Sequence, residues 1–135
     1  MTVTPHNIAG RPDPPPGFCH ATVAQGSRIV HIGGQVGTDE TGAVVPGGLA
    51  GQAERALLNL GLALDETGAT QQDLVSMRLY VVNWDPSMFE DLGRGAAAAG
   101  TQLPAPGTPA VTLIGVSSLF TPDMLIEIEA VAFLE

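Results

Sequence analysis

Two runs decide the fold: Thr108-Pro109-Ala110-Val111-Thr112-Leu113-Ile114-Gly115-Val116 and Leu125-Ile126-Glu127-Ile128-Glu129-Ala130-Val131-Ala132. Both are rich in β-branched and aliphatic residues, and the turn formers Ser117, Ser118, Thr121, Pro122 and Asp123 lie between them. They read as two strands of one sheet. In the second, Glu127 and Glu129 alternate with Ile126, Ile128 and Ala130, which places both carboxylates on one face and the aliphatics on the other. Such a row of acids is either a solvated face or the wall of a polar cleft.

Composition narrows the class. The chain has 135 residues, enough for one domain with a modest core. Hydrophobic residues make up 44% and aromatics only 4%, so the core must be built from Ala, Val, Leu and Ile. No apolar run approaches the roughly 20 residues needed to span a bilayer. The start, Met1-Thr2-Val3-Thr4-Pro5, lacks the basic and apolar regions of a signal peptide. One cysteine, Cys19, excludes an internal disulfide framework and fits a reducing cytoplasmic setting. Five arginines stand against 14 acids, no lysine occurs, and the formal net charge is −9. That balance disfavours nucleic acid and anionic membranes as partners. Without lysine there is neither a Schiff-base amine nor a P-loop.

In chain order, residues 1–16 form a proline-rich arm that resists helix and central strand, and a single domain is expected over 17–135. Phe18–Ala24 and Arg28–Gly33 read as a hairpin across Gln25-Gly26-Ser27, with Ile29 buried on one face beside His31. Gly33-Gly34 ends the second strand where the backbone is unusual or closely approached. Ala53, Ala56, Leu57, Leu60 and Leu64 recur at helical spacing from Leu49 to about Thr67, and Gly68 stops that helix. Asp73–Val82 alternates as a strand, with Val75, Met77, Leu79 and Val81 on one face and Ser76, Arg78, Tyr80 and Val82 on the other. Asp85-Pro86 opens a second helix through about Ala99, which Gly93 and Gly95 weaken. The order is β-β-α-β-α-β-β, an α+β fold with two helices over a mixed sheet.

Separated motifs then align with one family. Gly17-Phe18, Ile32-Gly33-Gly34-Gln35-Val36, Thr41-Gly42, Gln52-Ala53, Asn59-Leu60, Gly68-Ala69, Pro109-Ala110 and Ile126-Glu127-Ile128-Glu129-Ala130-Val131-Ala132 resemble the RidA/YjgF/UK114 family in order and spacing. The resemblance runs from about Gly17 to the C-terminus, with about one extra residue near Phe120–Pro122. It implies a chorismate-mutase-like domain, a homotrimer with a small-molecule cleft at each subunit interface, no cofactor and no metal. It also implies hydrolysis of imine or enamine intermediates to 2-oxo acids and ammonia.

The resemblance further implies which positions should bind substrate, and here the chain departs from the pattern. The arginine that clamps the substrate carboxylate directly follows Pro109-Ala110, and that position is Val111. The family's aromatic hydroxyl falls on Phe18, its serine on Gly33 beside Gly34, and its helix asparagine near Gly93. The water-positioning carboxylate is kept as Glu127. Four polar positions have become Phe, Gly, Gly and Val, so the expected pocket is roomier and more apolar than that of a 2-imino acid deaminase.

Other residues have plainer readings. Glu129 shares the face of Glu127 and reads as structural. Cys19 and His20 are adjacent in a strand, so they point to opposite faces and do not make a catalytic pair. His20, His31 and Glu127 carry no ligand spacing for a metal. Arg78 and Arg94 are the arginines open to replacing the clamp, with an ion pair and a solvated helix face as their default roles.

The expected function is water addition to an imine- or enamine-type metabolite, with Glu127 orienting or deprotonating the water. Main-chain groups near Gly33-Gly34 and Pro109-Val111 would polarise the substrate. Activity as a 2-iminobutanoate/2-iminopropanoate deaminase is expected to be weak or absent. The alternative is a non-catalytic ligand-binding or protein-protecting trimer. A ribonuclease reading is disfavoured by the acidic composition. The uncovered sheet face is expected to carry Val30, Ile32, Leu113 or its neighbours, and the aliphatic face of Ile126–Val131, and to close a C3 trimer. Each cleft would take Glu127 and Val111 from one subunit and Phe18 or strand residues from the next.

Overall fold

The computed structural model describes residues 3–135. Six strands and two helices follow in order: β1 Val3–His6, β2 Ala21–Ala24, β3 Arg28–Val36, α1 Gly48–Thr67, β4 Leu74–Val82, α2 Phe89–Gly100, β5 Ala110–Val116 and β6 Ile126–Leu134. Short 3-10 turns at Gln71–Asp73 and Pro86–Met88 lead into β4 and α2. The main sheet has the order β3-β6-β4-β5; β4 and β5 run parallel and the other pairs antiparallel. Among the described residues no helix is long and apolar enough to cross a membrane.

The decisive run behaves as its alternation predicts. Ile126, Ile128, Ala130, Ala132 and Leu134 are buried, and the residues between them are half-buried on the other face. α1 lays Ala53, Ala56, Leu60 and Leu64 onto this aliphatic row, and Leu92 of α2 joins the same cluster. Gly68 ends α1 at φ 80, where its N–H reaches the Asp65 carbonyl. Both helices therefore cover one face. The fold is mixed α+β, as expected.

Four expectations need correction. β2 does not form a hairpin with β3: it pairs with β1, which lies in the proline-rich arm, and β3 pairs with β6 instead. The β1–β2 ribbon attaches to the main sheet through a parallel bridge between Cys19 and Ala110 and through the Thr22 hydroxyl, which donates to the Val75 carbonyl at 2.8 Å. Second, the faces of β3 are reversed. Ile32 is 6% exposed in the core while Ile29 is 53% exposed and His31 also faces out. Third, a bulge between Leu74 and Ser76 shifts the register of β4, so Leu74, and not Val75, shares a face with Met77, Leu79 and Val81.

Fourth, the uncovered sheet face differs in content. Val30, Ile32, Leu113 and the aliphatic row of β6 all lie under the helices. The open face carries Ile29 and His31 of β3, Arg78 and Tyr80 of β4, Thr112 and Ile114 of β5, and Glu127 and Glu129 of β6, by register and alternation. It is a mixed polar face crossed by aliphatics, not an aliphatic one.

Candidate functional site

α2 packs chiefly against α1 and less on the strands beneath it, which Leu92 reaches. Gly95 makes the contact with α1 possible: a Cβ there would overlap the Ala50 carbonyl and crowd Ala53. The offset leaves a cavity of about 390 Å³ between α2 and the β4–β5 edge. Its walls are Phe18, Leu79, Trp84, Phe89, Leu92, Val111, Leu113 and Gly115. None of the eight is charged, and none offers a polar side chain other than the indole N–H of Trp84.

Local backbone chemistry sets these walls. Asn83, the non-glycine residue with a positive φ (52°), ends β4 and donates its N–H to the Val116 carbonyl at 2.8 Å. The turn brings Trp84 over Gly115, where an added Cβ would stand 3.1 Å from the Trp84 Cβ. Asp85 then accepts a hydrogen bond from the Ser87 N–H at 2.9 Å, and Pro86 starts the turn that presents Phe89 and Leu92. Its hydrogen bonds with the Ser87 hydroxyl and N–H hold the Asp85 carboxyl below its ordinary range. Phe18 follows Gly17 (φ 85) and donates its N–H to the Pro15 carbonyl. Cys19, next in line, is buried, with its thiol donating to the carbonyls of Ala21 and Thr108 at 3.2 Å.

Glu127 lies elsewhere. It projects from the open face of β6, whereas Val111 projects under the helices, so the two occupy opposite faces of one sheet. Its neighbour is Gly34: a Cβ at that position would overlap the Glu127 carboxylate. Gly33 and Gly34 form a bulge in the β3–β6 register, and space around Gly33 is open. A second cavity of about 230 Å³ on this face is lined by His31, Gly33, Ser76, Arg78, Glu129 and Val131, among others. There Arg78 pairs with Glu129 at 3.6 Å, and the Tyr80 hydroxyl donates to the same carboxylate at 2.6 Å.

The site residues expected from the sequence thus fall in two groups. Phe18 and Val111 share the apolar cavity within one chain, with Pro109 and Ala110 at the adjoining β5 start, where the Pro109 carbonyl accepts from the Cys19 N–H. Glu127, Gly33 and Gly34 cluster on the opposite face. Gly93 is exposed and lines neither cavity; Phe89 and Leu92 of the same helix reach in instead. Arg78 is engaged with Glu129, and Arg94 lies on the exposed side of α2 with Glu90 and Asp91, so neither enters the apolar cavity. His20 serves the arm: its ring nitrogen accepts from the Ile8 N–H and its N–H donates to Asn7. Among the described residues no group of His, Cys, Asp or Glu is arranged to hold a metal.

The sequence pattern of the family described as endoribonuclease L-PSP matches residues 9–134. A solved structure of the Rid-family protein YyfB from Yersinia pestis is 36% identical, covers 99% of this chain and 100% of its own, and superposes with a TM-score of 0.87. The chain belongs to the Rid (YjgF, endoribonuclease L-PSP) family. A RutC family protein of Pyrococcus abyssi is 30% identical over 109 residues, 80% of each chain. The YjgF product of E. coli, at 23% identity and TM-score 0.68 over 98% of this chain and 99% of its own, shares the fold. Within this Rid-family fold, sequence reasoning missed Leu79, Trp84, Phe89, Leu92, Leu113 and Gly115 as cavity walls. Trp84 and Phe89 flanking Asp85-Pro86 were the available signal, because a turn between two aromatics places both at one helix entrance.

Proposed function

We propose that the protein is a homotrimeric small-molecule protein of the Rid family that adds water to an imine- or enamine-type metabolite lacking a clamped carboxylate. The observation that carries this reading is the apolar cavity at Val111, into which no arginine reaches. A 2-imino acid desolvated there would have no cationic partner, a cost of several kcal/mol. Because Glu127 and Val111 lie on opposite faces, Glu127 reaches such a cavity only from another subunit. The open face of Ile29, Ile114, Glu127 and Glu129 is the surface to bring it there, around a three-fold axis.

In this arrangement the water oxygen bonds to the imine carbon while Glu127 takes its proton. That proton passes to nitrogen to give a carbinolamine; its hydroxyl then gives up the second water proton, which also goes to nitrogen as the C–N bond breaks, and carbonyl product and ammonia leave. The bare Cα of Gly34 lets the Glu127 carboxylate lie against β3. A cytoplasmic, reducing setting belongs to the same reading, since the one thiol is buried and tied to main-chain carbonyls.

The test is turnover of 2-iminopropanoate generated in situ, beside an uncharged imine, with sedimentation of the same sample. Slow loss of the first and faster, Glu127-dependent loss of the second is expected. Rapid hydrolysis of 2-iminopropanoate, or a stable monomer at micromolar concentration, sinks the reading.

A second reading is favoured by one observation: the cavity lining carries no acid or base at all. A non-catalytic binder would use that cavity as it stands. Glu127→Gln separates the two, since an enzyme loses turnover and keeps its ligand whereas a binder is indifferent. The acidic composition, net −9, gives no support to RNA as substrate.

A further inference from the structure

Aromatic side chains are scarce here, and their placement runs against ordinary packing. The chain has four Phe, one Trp and one Tyr. The largest fully buried side chains are Leu60, Leu64, Ile126, Ile128 and Val81, none of them aromatic. Yet Phe18, Trp84 and Phe89, half of all the aromatics, border one cavity under α2. None of the three is buried, and Phe89 is 52% exposed. Rings needed only for apolar area belong in the core, where they bury most. Rings gathered around open space offer something an aliphatic wall lacks: the negative face of a π-system, which attracts a cation.

The charge around them agrees. Trp84 and Phe89 come from the segment 84–94, which holds Asp85, Glu90 and Asp91 against Arg94 alone. Arg94 is itself occupied by Glu90 and Asp91. The whole chain carries −9 and no lysine. Val111 gains a second meaning, because a guanidinium there would repel a cation as surely as it would hold an anion.

Resting on the reading of this cavity as the ligand site, we propose that its occupant is an organic cation, an iminium or alkylated ammonium group seated among Phe18, Trp84 and Phe89. An iminium is the form of an imine that water attacks. Aromatic walls favour that protonated form without a carboxylate anchor on the substrate.

Trp84 is the chain's one tryptophan, so its emission reports this cavity directly. The full chain is titrated with choline and with its uncharged isostere, in which carbon replaces the quaternary nitrogen. Choline is expected to bind about 3- to 30-fold more tightly. Equal or tighter binding of the isostere overturns the cation proposal and leaves the cavity reading standing. If neither perturbs Trp84, both fall. Phe89→Leu, at an exposed position, keeps the apolar volume and removes a ring. It should erase most of the preference for choline while sparing the isostere, and an equal loss for both ligands also overturns the proposal.

Discussion

The Glu127 carboxylate rests on the bare Cα of Gly34, close enough that any side chain at position 34 would displace it. The atoms in the way are the flexible end of Glu127, so Gly34→Ala is expected to cost little stability, about 1 kcal/mol or a shift of about 4 °C. It should nevertheless abolish whatever turnover Glu127→Gln abolishes. Gly33→Ala, facing open space at the neighbouring position, should leave the melting temperature of the chain nearly unchanged. Thermal melts and imine turnover on the three variants check this; full activity in Gly34→Ala would show that the carboxylate's position is immaterial.

Two glycines of α2 look equivalent in sequence and should respond oppositely. Gly93 has nothing within reach of an added Cβ, so Gly93→Ala should stabilise by about 0.5 to 1 kcal/mol through helix propensity. Gly95 abuts the main chain of α1 at Ala50, which cannot swing aside, and Gly95→Ala should destabilise by about 1 to 3 kcal/mol. Urea unfolding of both variants gives the signs.

Gln52 is 4% exposed and binds the loop before β6 at both ends of its amide. It donates to the Asp123 carbonyl and accepts from the Leu125 N–H, each at 2.9 Å. Gln52→Leu leaves both main-chain groups unpaired, with an expected loss of about 2 to 4 kcal/mol. Gln52→Glu keeps the acceptor but sets a buried carboxylate oxygen against the Asp123 carbonyl, and should lose at least as much. Equal stability of the leucine variant would mean the loop finds other partners.

Tyr80 is the one tyrosine, so its titration can be followed by ultraviolet absorbance without overlap. The hydrogen bond to Glu129 holds its hydroxyl above the ordinary value near 10, because the phenolate would face that carboxylate. A raised folded value means the bond's contribution is fully present below pH 10 and is lost as pH climbs through the folded value. Glu129→Gln should lower the titration midpoint, and removing Arg78, whose charge acts the other way, should raise it further. An unchanged midpoint in Glu129→Gln contradicts the assignment.

What was legible in the chain follows from which signals are local. The faces of β6 and the period of α1 are written in strict alternation and in three-four spacing, and both hold. Arg28-Ile29-Val30-His31-Ile32 has aliphatics on both parities, so nothing local says whether Ile29 or Val30 turns inward. The bulge at Val75 breaks alternation without leaving a mark in composition. The partner of β2 depends on an arm some fifteen residues upstream, which no turn signal announces. The site was read from the positions the family resemblance marked. The cavity's other walls depend on how far α2 stands off the sheet, a distance set by Gly95 packing on α1.

The cavity rests on the aliphatic core: Leu79 and Leu92 belong to both, and Trp84, Val111 and Leu113 pack against the core cluster. Phe18 and Phe89 stand outside that cluster and can change in a lineage without disturbing Leu60, Leu64, Ile126 or Ile128. In a chain whose core rings also formed its binding site, each new specificity would weaken the fold and need a compensating change. At Phe18 and Phe89 the two are separable, which leaves ligand choice free to drift by substitutions there while the scaffold stays intact.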